Sequence, residues 1–251
     1  MSTPWKVAIA GAYGKMGQEA VRAVENAPDM ELVAQLGSHD PLEKMIEAQA
    51  QILVDLTVPN STEQNVHFAI EHGIHAVVGT TGWDEEKLNR LTEKLTQNPT
   101  TGVLIAPNFA IGAILATEFA ARAAQYFESV EIIELHHPQK FDAPSGTAVH
   151  TAHKIAQARK TANLPVSPDA TVTDTGNSRG ALIDDVRVHA VRLRGLTASQ
   201  EILLGDEGQQ LTIRHDSFDR SSFMPGILLG IRKVSSHPGL THGLDHYLEL
   251  N

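Results

Sequence analysis

Two adjacent histidines, a lysine and a Pro-Ser-Gly-Thr segment lie within Glu134 to Ala148, which reads ELHHPQKFDAPSGTA. An imidazole titrates at about pH 6.5 and can hold and release a proton under working conditions, while Lys140 supplies a fixed positive charge. Ser145 after Pro144 is typical of a helix N-cap, which leaves backbone N–H groups facing a bound carboxylate. A proton donor, a cation and a backbone anion site together favour reduction of a small carboxylate-bearing substrate by a nicotinamide.

The histidine pair has a second interpretation, because an isolated pair of this kind usually packs in the core or lies on the surface. The neighbouring Lys140 and the Ser145-Gly146-Thr147 segment favour a functional site instead. Successive side chains of a regular strand point to opposite faces, which keeps His136 and His137 from binding one metal ion together. Three further histidines straddle a predicted helix end without acids or cysteines arranged nearby: His67, His72 and His75. We therefore predict that the protein has no metal site.

A glycine-rich loop follows the first apolar run of the chain and precedes a helical pattern. The loop is Gly11-Ala12-Tyr13-Gly14-Lys15-Met16-Gly17, in the strand-loop-helix context of a dinucleotide-binding turn. The usual G-x-G-x-x-G spacing would place its first glycine at Ala12, and here an extra glycine stands just before it. Gly14 would allow close approach of a pyrophosphate, and Gly17 would allow the helix and the strand to pack closely. The alternative interpretation is an ordinary tight turn into a helix.

The choice between NADH and NADPH stays open in the sequence. Dinucleotide-binding folds often carry an acid about 20 residues further on, where it accepts hydrogen bonds from the ribose hydroxyls. This chain has Gly37-Ser38-His39-Asp40 there, with no acid directly at the strand end and no arginine nearby. Asp40 would favour NADH, whereas Lys15 and Ser38 would accept a 2′-phosphate. We predict weak discrimination between the two cofactors.

Two further loops follow apolar runs at positions typical of ligand binding. Gly79-Thr80-Thr81-Gly82 comes after the fourth run and Ala106-Pro107-Asn108-Phe109 after the fifth. Open α/β sheets bind ligands at the carboxyl ends of their strands, so both loops are candidates for contact with the cofactor. Position alone allows them equally to be simple turns.

Short apolar runs alternate with helical patterns through the first 106 residues, which predicts parallel strands joined by crossover helices. The predicted strands are Lys6–Ala10, Glu31–Leu36, Ile52–Leu56, Ala76–Val78 and Val103–Ala106. The predicted helices are Gly14–Ala27, Pro41–Glu47, Ser61–His72 and Asp84–Thr96. This part of the chain is expected to form a doubly wound α/β domain.

After Pro107 the pattern changes to one typical of an α+β domain with a mostly antiparallel or mixed sheet. Helices are predicted at Ile111–Phe127, Ser145–Thr161 and Pro225–Val234, and strands at Ser129–His136, Val186–Arg194, Ser199–Gly205 and Gln209–Asp216. Residues Asn163–Asp185 are rich in Pro, Asp, Thr, Gly and Ser and are predicted to be a flexible loop. The tail is expected to return to the first domain.

Composition excludes several classes of protein. The chain has 251 residues, 41% of them hydrophobic, which is enough for one large or two modest domains. A formal charge of −10, from 30 acids and 20 bases, opposes binding to nucleic acid or to an anionic membrane. The chain lacks cysteine, so disulfides and thiolate sites are excluded. Neither a leader pattern nor an 18-residue apolar stretch is present, and we expect a cytoplasmic protein.

These residues resemble the 4-hydroxy-tetrahydrodipicolinate reductase family, also called dihydrodipicolinate reductase, of lysine and diaminopimelate biosynthesis. The resemblance covers nearly the whole chain, including the glycine loop, Gly79 to Thr81 and Ala106 to Phe109. It is most specific from Glu134 through Lys140 to Ala148. At Gly37 many members of the family carry an acid, and this departure leaves the cofactor preference open but not the reaction.

The resemblance implies a role for each matching residue. His136 would be the proton donor and Lys140 a second catalytic residue that engages the substrate electrostatically. The residues that would bind the substrate's carboxylates are His137, Ser145, Gly146 and Thr147. Arg220 lies where the family has a further arginine on the side of the substrate. The residues that would bind NADH or NADPH are Gly11, Ala12, Tyr13, Gly14, Lys15, Met16, Gly79, Thr80, Thr81, Ala106, Pro107, Asn108 and Phe109.

The resemblance also implies an architecture: a Rossmann-like domain of residues 1–107 with 217–251, and a substrate-binding and oligomerisation domain of residues 108–216 with a four-stranded mixed sheet. A homotetramer built through those sheets is implied as well.

Two rivals remain for the function. The motif at Asp142 to Ala148 argues against an amino-acid dehydrogenase, and the histidine and lysine pair would serve no purpose in a regulator that only senses nicotinamides.

Overall fold

The computed structural model describes residues 3–250, and the first two and last residues of the predicted first domain lie outside that range. The strands are β1 Trp5–Ala10, β2 Met30–Leu36, β3 Ile52–Asp55, β4 His75–Val78, β5 Gly102–Ile105, β6 Ser129–His136, β7 Ala181–Ile183, β8 Val186–Arg192, β9 Ala198–Asp206, β10 Gln209–Ser217 and β11 Gly239–His242. The α-helices are α1 Lys15–Glu25, α2 Lys44–Glu47, α3 Thr62–Glu71, α4 Glu85–Gln97, α5 Ile111–Ala123, α6 Gly146–Thr161 and α7 Met224–Lys233. Short 3-10 turns lie at Ala124–Tyr126, Arg220–Phe223, Val234–Ser236 and Leu244–Tyr247.

The chain forms two compact units, Met1–Ala110 with Arg220–Asn251 and Ile111–Asp219. The first unit contains a parallel sheet of six described strands in the order β11-β5-β4-β3-β1-β2. Strands β1, β3, β4 and β5 are almost entirely buried, which is typical of parallel strands covered by helices on both faces. This unit is the doubly wound α/β domain that the apolar runs predict.

Crossover helices pack on the sheet of the first unit and form two apolar clusters with it. Helices α3 and α4 contribute Val66, Ile70, Leu91 and Leu95, which pack on strand residues of β4 and β5 such as Val103. Met45 of the short helix α2 belongs to a second cluster beside β1 and β2. The tail of the chain adds β11, which pairs in parallel with β5.

The second unit contains a mixed sheet in the order β10-β9-β6-β8-β7. Its helices α5 and α6 cover one face, where Ala120, Ile132, Ile155, Val188 and Ile202 form the centre of the core. Strand β6 pairs in parallel with β8 and antiparallel with β9. The long strand β6 is therefore the central strand of the sheet, and the histidine pair lies at its carboxyl end.

The sheet of the second unit differs in one respect from the four-stranded sheet that the family resemblance implies, because β7 adds a short fifth strand. It lies within the segment predicted to be a flexible loop. A two-residue turn joins β7 to β8, and both turn residues, Asp184 and Asp185, have positive φ angles of 44° and 68°. Such turns match the twist of a hairpin and usually contain Asn or Gly, so the Asp-Asp pair gave a weak signal. None of the helices in residues 3–250 is long and apolar enough to cross a membrane.

Candidate active site and cofactor-binding edge

The loops predicted to bind the cofactor share one edge of the first unit. Because β1, β3, β4 and β5 are parallel, the loops that follow them lie together at their carboxyl ends. The strand order places β2 on one side of β1 and β3 on the other, so the chain reverses direction across the sheet at β1. A crevice at such a reversal point is where open α/β sheets bind ligands.

The glycine loop after β1 has the backbone that a pyrophosphate requires. Gly11 has a φ of +78°, and a Cβ there would lie 2.5 Å from the Leu56 carbonyl oxygen. A Cβ at Gly17 would overlap the carbonyl oxygen of Gly11, so only glycine allows α1 to start this close to the loop. Gly14 is the N-cap of α1 and makes no side-chain capping bond, so the first turn presents backbone donors and a positive helix end. The loop therefore fits a dinucleotide.

Loops after β3, β4 and β5 meet beside the glycine loop. A Cβ on Gly79 would lie 2.8 Å from the Leu56 side chain and 3.2 Å from the Phe109 ring. Pro107 and Thr81 are exposed at this edge, whereas Ala106 and Phe109 are buried. The loops that carry the sequence-predicted residues are thus brought together, and Phe109 contributes as packing beneath the edge.

Sequence reasoning missed Asp55, the last residue of β3. This fully buried carboxylate accepts hydrogen bonds from the Thr80 hydroxyl at 2.6 Å, from Thr57 Oγ1 at 2.8 Å and from Asn65 Nδ2 at 2.8 Å. It ties the loops after β3 and β4 to each other. The Thr80 hydroxyl is engaged within the protein, which leaves the backbone of that loop to contact a ligand. An acid that ends an apolar ILVD run was the signal for it.

At the end of β2, Asp40 is neutralised by its neighbours. One carboxylate oxygen accepts from the Gly37 N–H at 2.8 Å, and the other pairs with the Lys44 ammonium. A Cβ on Gly37 would lie 3.0 Å from the Tyr13 ring, so the ring lies against this turn. Hydrogen bonds from Lys44 and Gly37 lower the pKa of Asp40, which is therefore ionised but balanced.

In the second unit, the inward face of β6 changes from apolar to polar towards its carboxyl end. Val130 and Ile132 point into the core, and Glu134 and His136 follow at the same period of two. His136 is the last strand residue, with 13% of its side chain exposed. The strand thus places an imidazole at the edge of the core, where part of its ring reaches solvent.

Glu134 is the second residue that sequence reasoning missed, since the motif that contains it implies no role for it. Its buried carboxylate accepts from His136 Nδ1–H at 2.6 Å, from both terminal nitrogens of Arg192 at 2.8 Å and from the Ser145 N–H at 3.0 Å. Burial raises the pKa of Glu134, but the hydrogen bonds from His136 and Arg192 outweigh it and lower the pKa from 4.5 to about 2. The position two residues before His136 in an alternating strand was the signal for it.

The loop from Lys140 to Gly146 brings a cation and a helix start together. Lys140 Nζ lies 2.8 Å from Asp142 Oδ1, and the Gly146 N–H donates to Asp142 Oδ2 at 3.2 Å. Ser145 caps α6, because its hydroxyl accepts from the Ala148 N–H at 3.2 Å. The hydrogen bond to Lys140 is the main cause that lowers the pKa of Asp142. One carboxylate thus already bridges two of the groups predicted to bind a substrate carboxylate.

The remaining predicted substrate residues divide between the units. His137 is half-buried just beyond β6, and its Nδ1 is buried without a hydrogen-bond partner among the described residues. Thr147 is half-buried in the first turn of α6. Arg220 is exposed and belongs to the first unit, whereas the histidine, lysine and serine residues belong to the second.

Comparison with known proteins relates both units to a single family. The model of the dihydrodipicolinate reductase N-terminus matches residues 5–109, and the model of the C-terminus matches residues 112–248. The chain belongs to the dihydrodipicolinate reductase family. A 4-hydroxy-tetrahydrodipicolinate reductase of Streptomyces griseus is 61% identical over 246 residues, which cover 98% of each chain. That of Nocardia farcinica is 56% identical over 245 residues, covering 98% of this chain and 99% of the relative.

A solved structure supports the same relationship. The dipicolinate-bound dihydrodipicolinate reductase from Paenisporosarcina sp. TG-14 matches with a TM-score of 0.87 and 39% identity, covering 97% of this chain and 99% of that chain. The family resemblance that the motif around His136 indicates is confirmed. The Rossmann-like α/β domain and the second mixed-sheet domain are confirmed as well, with one strand more in the second sheet than expected.

Proposed function

We propose that this protein is an NAD(P)H-dependent reductase of a 4-hydroxy-tetrahydrodipicolinate, which it converts to tetrahydrodipicolinate and water in lysine biosynthesis through diaminopimelate. The observation that carries the proposal is the conjunction, in a chain of this family, of His136 with a buried carboxylate behind it and the Lys140 to Gly146 loop beside the start of α6. The dinucleotide-binding backbone of the first unit supports the cofactor class.

The proposed chemistry adds a hydride and a proton across one double bond. The 4-hydroxy substrate loses water to give an unsaturated cyclic imine, and NADH or NADPH, held by the glycine loop of the first unit, would supply a hydride to its C4. Electron density moves towards C3, where a C–H bond must then form. His136 holds the proton for that carbon on its ring and releases it as the bond forms.

The substrate is a dianion in a protein with a formal charge of −10, so its binding groups must be concentrated. Lys140 supplies a positive charge, and the N–H groups of Gly146 and Thr147 belong to the first turn of α6, at the positive end of the helix. His137, Ser145 and, from the first unit, Arg220 are assigned to the same carboxylates. These assignments follow the match with the family motif and stay predictions.

In the first unit, the cofactor phosphates are assigned to the loop of Gly11, Ala12, Tyr13, Gly14, Lys15 and Met16, where α1 begins without a side-chain cap. Lys15 is exposed in this loop and offers a positive charge. The strand-end loops Gly79 to Thr81 and Ala106 to Phe109 are assigned to the rest of the cofactor. The mechanism requires of them only that they hold it and exclude water.

A spectrophotometric assay tests the function. The substrate is generated enzymatically in the cuvette and mixed with the protein and either NADH or NADPH. The decrease in the absorbance of the reduced cofactor is then followed. We expect turnover with both cofactors that depends on protein and on substrate. If the cofactor binds but is never oxidised, the chain is a nicotinamide-binding regulator and the proposal is wrong.

A homotetramer is proposed for the assembly. Helices α5 and α6 cover one face of the second sheet, while half-buried Ile133, Leu135, Val191 and Leu203 lie on the other. An uncovered sheet face with apolar side chains favours pairing with a second copy. Light scattering coupled to gel filtration should give four times the chain mass of 27.2 kDa, and a stable monomer would contradict this. A location in the cytoplasm stays a prediction.

A further inference from the structure

Glu134 is a fully buried acid on the core-facing side of β6, between Ile132 and His136, and the family assignment gives it no role. An unpaired carboxylate is costly to bury, so a polar residue in this place must be matched by donors. Each of its oxygens accepts two hydrogen bonds. Oε1 takes the Ser145 N–H and one Arg192 nitrogen, and Oε2 takes His136 Nδ1–H and the other Arg192 nitrogen.

The carboxylate determines which nitrogen of His136 carries a hydrogen. Ionised carboxylates accept hydrogen bonds and donate none, so the contact of 2.6 Å requires a hydrogen on Nδ1. The opposite ring nitrogen, Nε2, is then the atom left to exchange a proton with a ligand. Without this partner the neutral ring would choose freely between its two tautomers and would rotate more easily about its side-chain bonds.

Arg192 keeps this carboxylate ionised and in place. It is the last residue of β8 and pairs in register with His136 of β6. Its two terminal nitrogens grip both oxygens of Glu134 at 2.8 Å, a fork that lysine does not reproduce. One of them also donates to the Asp142 carbonyl oxygen at 2.7 Å. Arg192 therefore links the acid behind the histidine to the loop that carries Lys140.

Glu134 also holds the start of α6, because the Ser145 N–H donates to Oε1, the oxygen that also accepts from one terminal nitrogen of Arg192. One buried anion thus orients the imidazole on one side and the amide that precedes Gly146 and Thr147 on the other. The ionisable groups that face it are the imidazole of His136 on its own strand and the guanidinium of Arg192 on β8, with Asp142 on the far side of Arg192. Displacement of Glu134 would loosen both parts of the proposed site at once.

We propose that Glu134 and Arg192 are positioning residues of the proposed reductase: they hold the Nδ1–H form of His136, direct its Nε2 towards the substrate and align the helix start that binds the substrate's carboxylate. This inference rests on the proposed function for its catalytic consequence. The tautomer of His136 does not depend on that function and can be measured separately.

The first test replaces Glu134 with glutamine, which keeps size but removes the charge. An amide cannot accept from Arg192 on both atoms, so it turns its N–H₂ away from one partner and the imidazole loses its fixed acceptor. We expect kcat to fall at least about 30-fold, with a smaller rise in KM because the start of α6 also loses its acceptor. The pH dependence of kcat should also change, because the group that holds the imidazole is no longer a carboxylate.

Two further variants sharpen the comparison. Arg192→Lys keeps the positive charge but loses the fork, and we expect kcat to fall at least about fivefold and its pH dependence to change. Glu118→Gln is the matched control, since it breaks an ion pair of 2.7 Å with Lys154 between α5 and α6 of the same unit. The control should keep kcat and its pH profile.

A purely structural role would lower the melting temperature of Glu134→Gln and leave kcat and the pH profile unchanged, and that result would overturn the proposal. If the variant does not fold, the wild-type protein decides. Long-range ¹H–¹⁵N spectra of ¹⁵N-histidine-labelled protein, with the His136 signals assigned by their loss in His136→Gln, should show hydrogen on Nδ1 at about pH 8. Hydrogen on Nε2 would overturn it, whether or not the wild-type protein reduces the proposed substrate.

Discussion

The Lys140 ammonium lies 2.8 Å from an oxygen of the Asp142 carboxylate, whose other oxygen accepts from the Gly146 N–H. Both donors are ones predicted to bind a substrate carboxylate. Asp142 therefore stands where the ligand's anion is expected, with 54% of its side chain exposed and free to move away. Binding of a dicarboxylate would exchange one carboxylate for another at these donors.

Asp142→Asn should strengthen the binding of dipicolinate, because it removes a competing anion and its repulsion of the dianion. We expect the Kd, measured by calorimetry in the presence of reduced cofactor, to fall by about 3- to 10-fold, equivalent to about 0.7 to 1.4 kcal/mol. The backbone carbonyl of Asp142, which Arg192 contacts, is unaffected by this change. Weaker binding would mean that the side chain supports the ligand-binding form of the loop.

Replacement of His136 by glutamine should mainly lower kcat, by about 100-fold or more, because the lost proton transfer belongs to the transition state. Lys140→Ala should instead reduce kcat and raise KM together, since the ammonium acts on the bound substrate and on the charge that develops. Initial rates at varied substrate, with saturating cofactor, separate the two patterns. Wild-type turnover in both variants would contradict the assignment of the chemistry.

The sequence predicted the elements around these residues better than the contacts between them. Alternating apolar runs identified the first unit and the strand β6, because burial imposes a period on the side chains. The bond between Ser145 and Glu134, eleven residues apart, and the grip of Arg192 from β8 depend on strand pairing, which no local pattern encodes. The roles of Asp55 and Glu134 depend in the same way on partners distant in the chain, whereas the strand β7 escaped prediction because its Asp184-Asp185 turn lacks the usual Asn or Gly.

Stability in acid should depend on Glu134. The pKa of Glu134 is lowered from 4.5 to about 2, so the ionised carboxylate stabilises the folded state above about pH 4.5. This stabilisation is lost as the pH falls towards 2. The contribution is on the order of 3 kcal/mol. Urea unfolding followed by circular dichroism should show wild type well above Glu134→Gln at pH 6, with the gap narrowing below pH 4.5. Parallel curves for the two proteins would refute this.

Gly17→Ala tests the dinucleotide loop. A methyl group there would overlap the Gly11 carbonyl oxygen, so α1 must shift away from the loop at a typical cost of about 1–3 kcal/mol. We expect the Kd for NADH, measured by fluorescence titration, to rise at least about tenfold. Glu19→Ala, which removes a surface ion pair with Arg22 on the same helix, is the control and should bind NADH normally. Unchanged binding by Gly17→Ala would place the cofactor elsewhere.

The balance of charge around Asp40 predicts the cofactor preference. Because Lys44 and the Gly37 N–H already engage the carboxylate, Asp40 repels a 2′-phosphate only weakly. We expect KM values for NADH and NADPH to differ by less than about 100-fold, or about 2.7 kcal/mol. Lys44→Ala removes the cation beside Asp40 and should raise the KM for NADPH relative to that for NADH by about 3- to 10-fold. Lys94→Ala is the control: it removes a surface ion pair with Glu71 between two helices and should leave the ratio of KM values unchanged. A larger ratio in the wild-type protein, or no response to Lys44→Ala, would show that residues outside this turn select the cofactor.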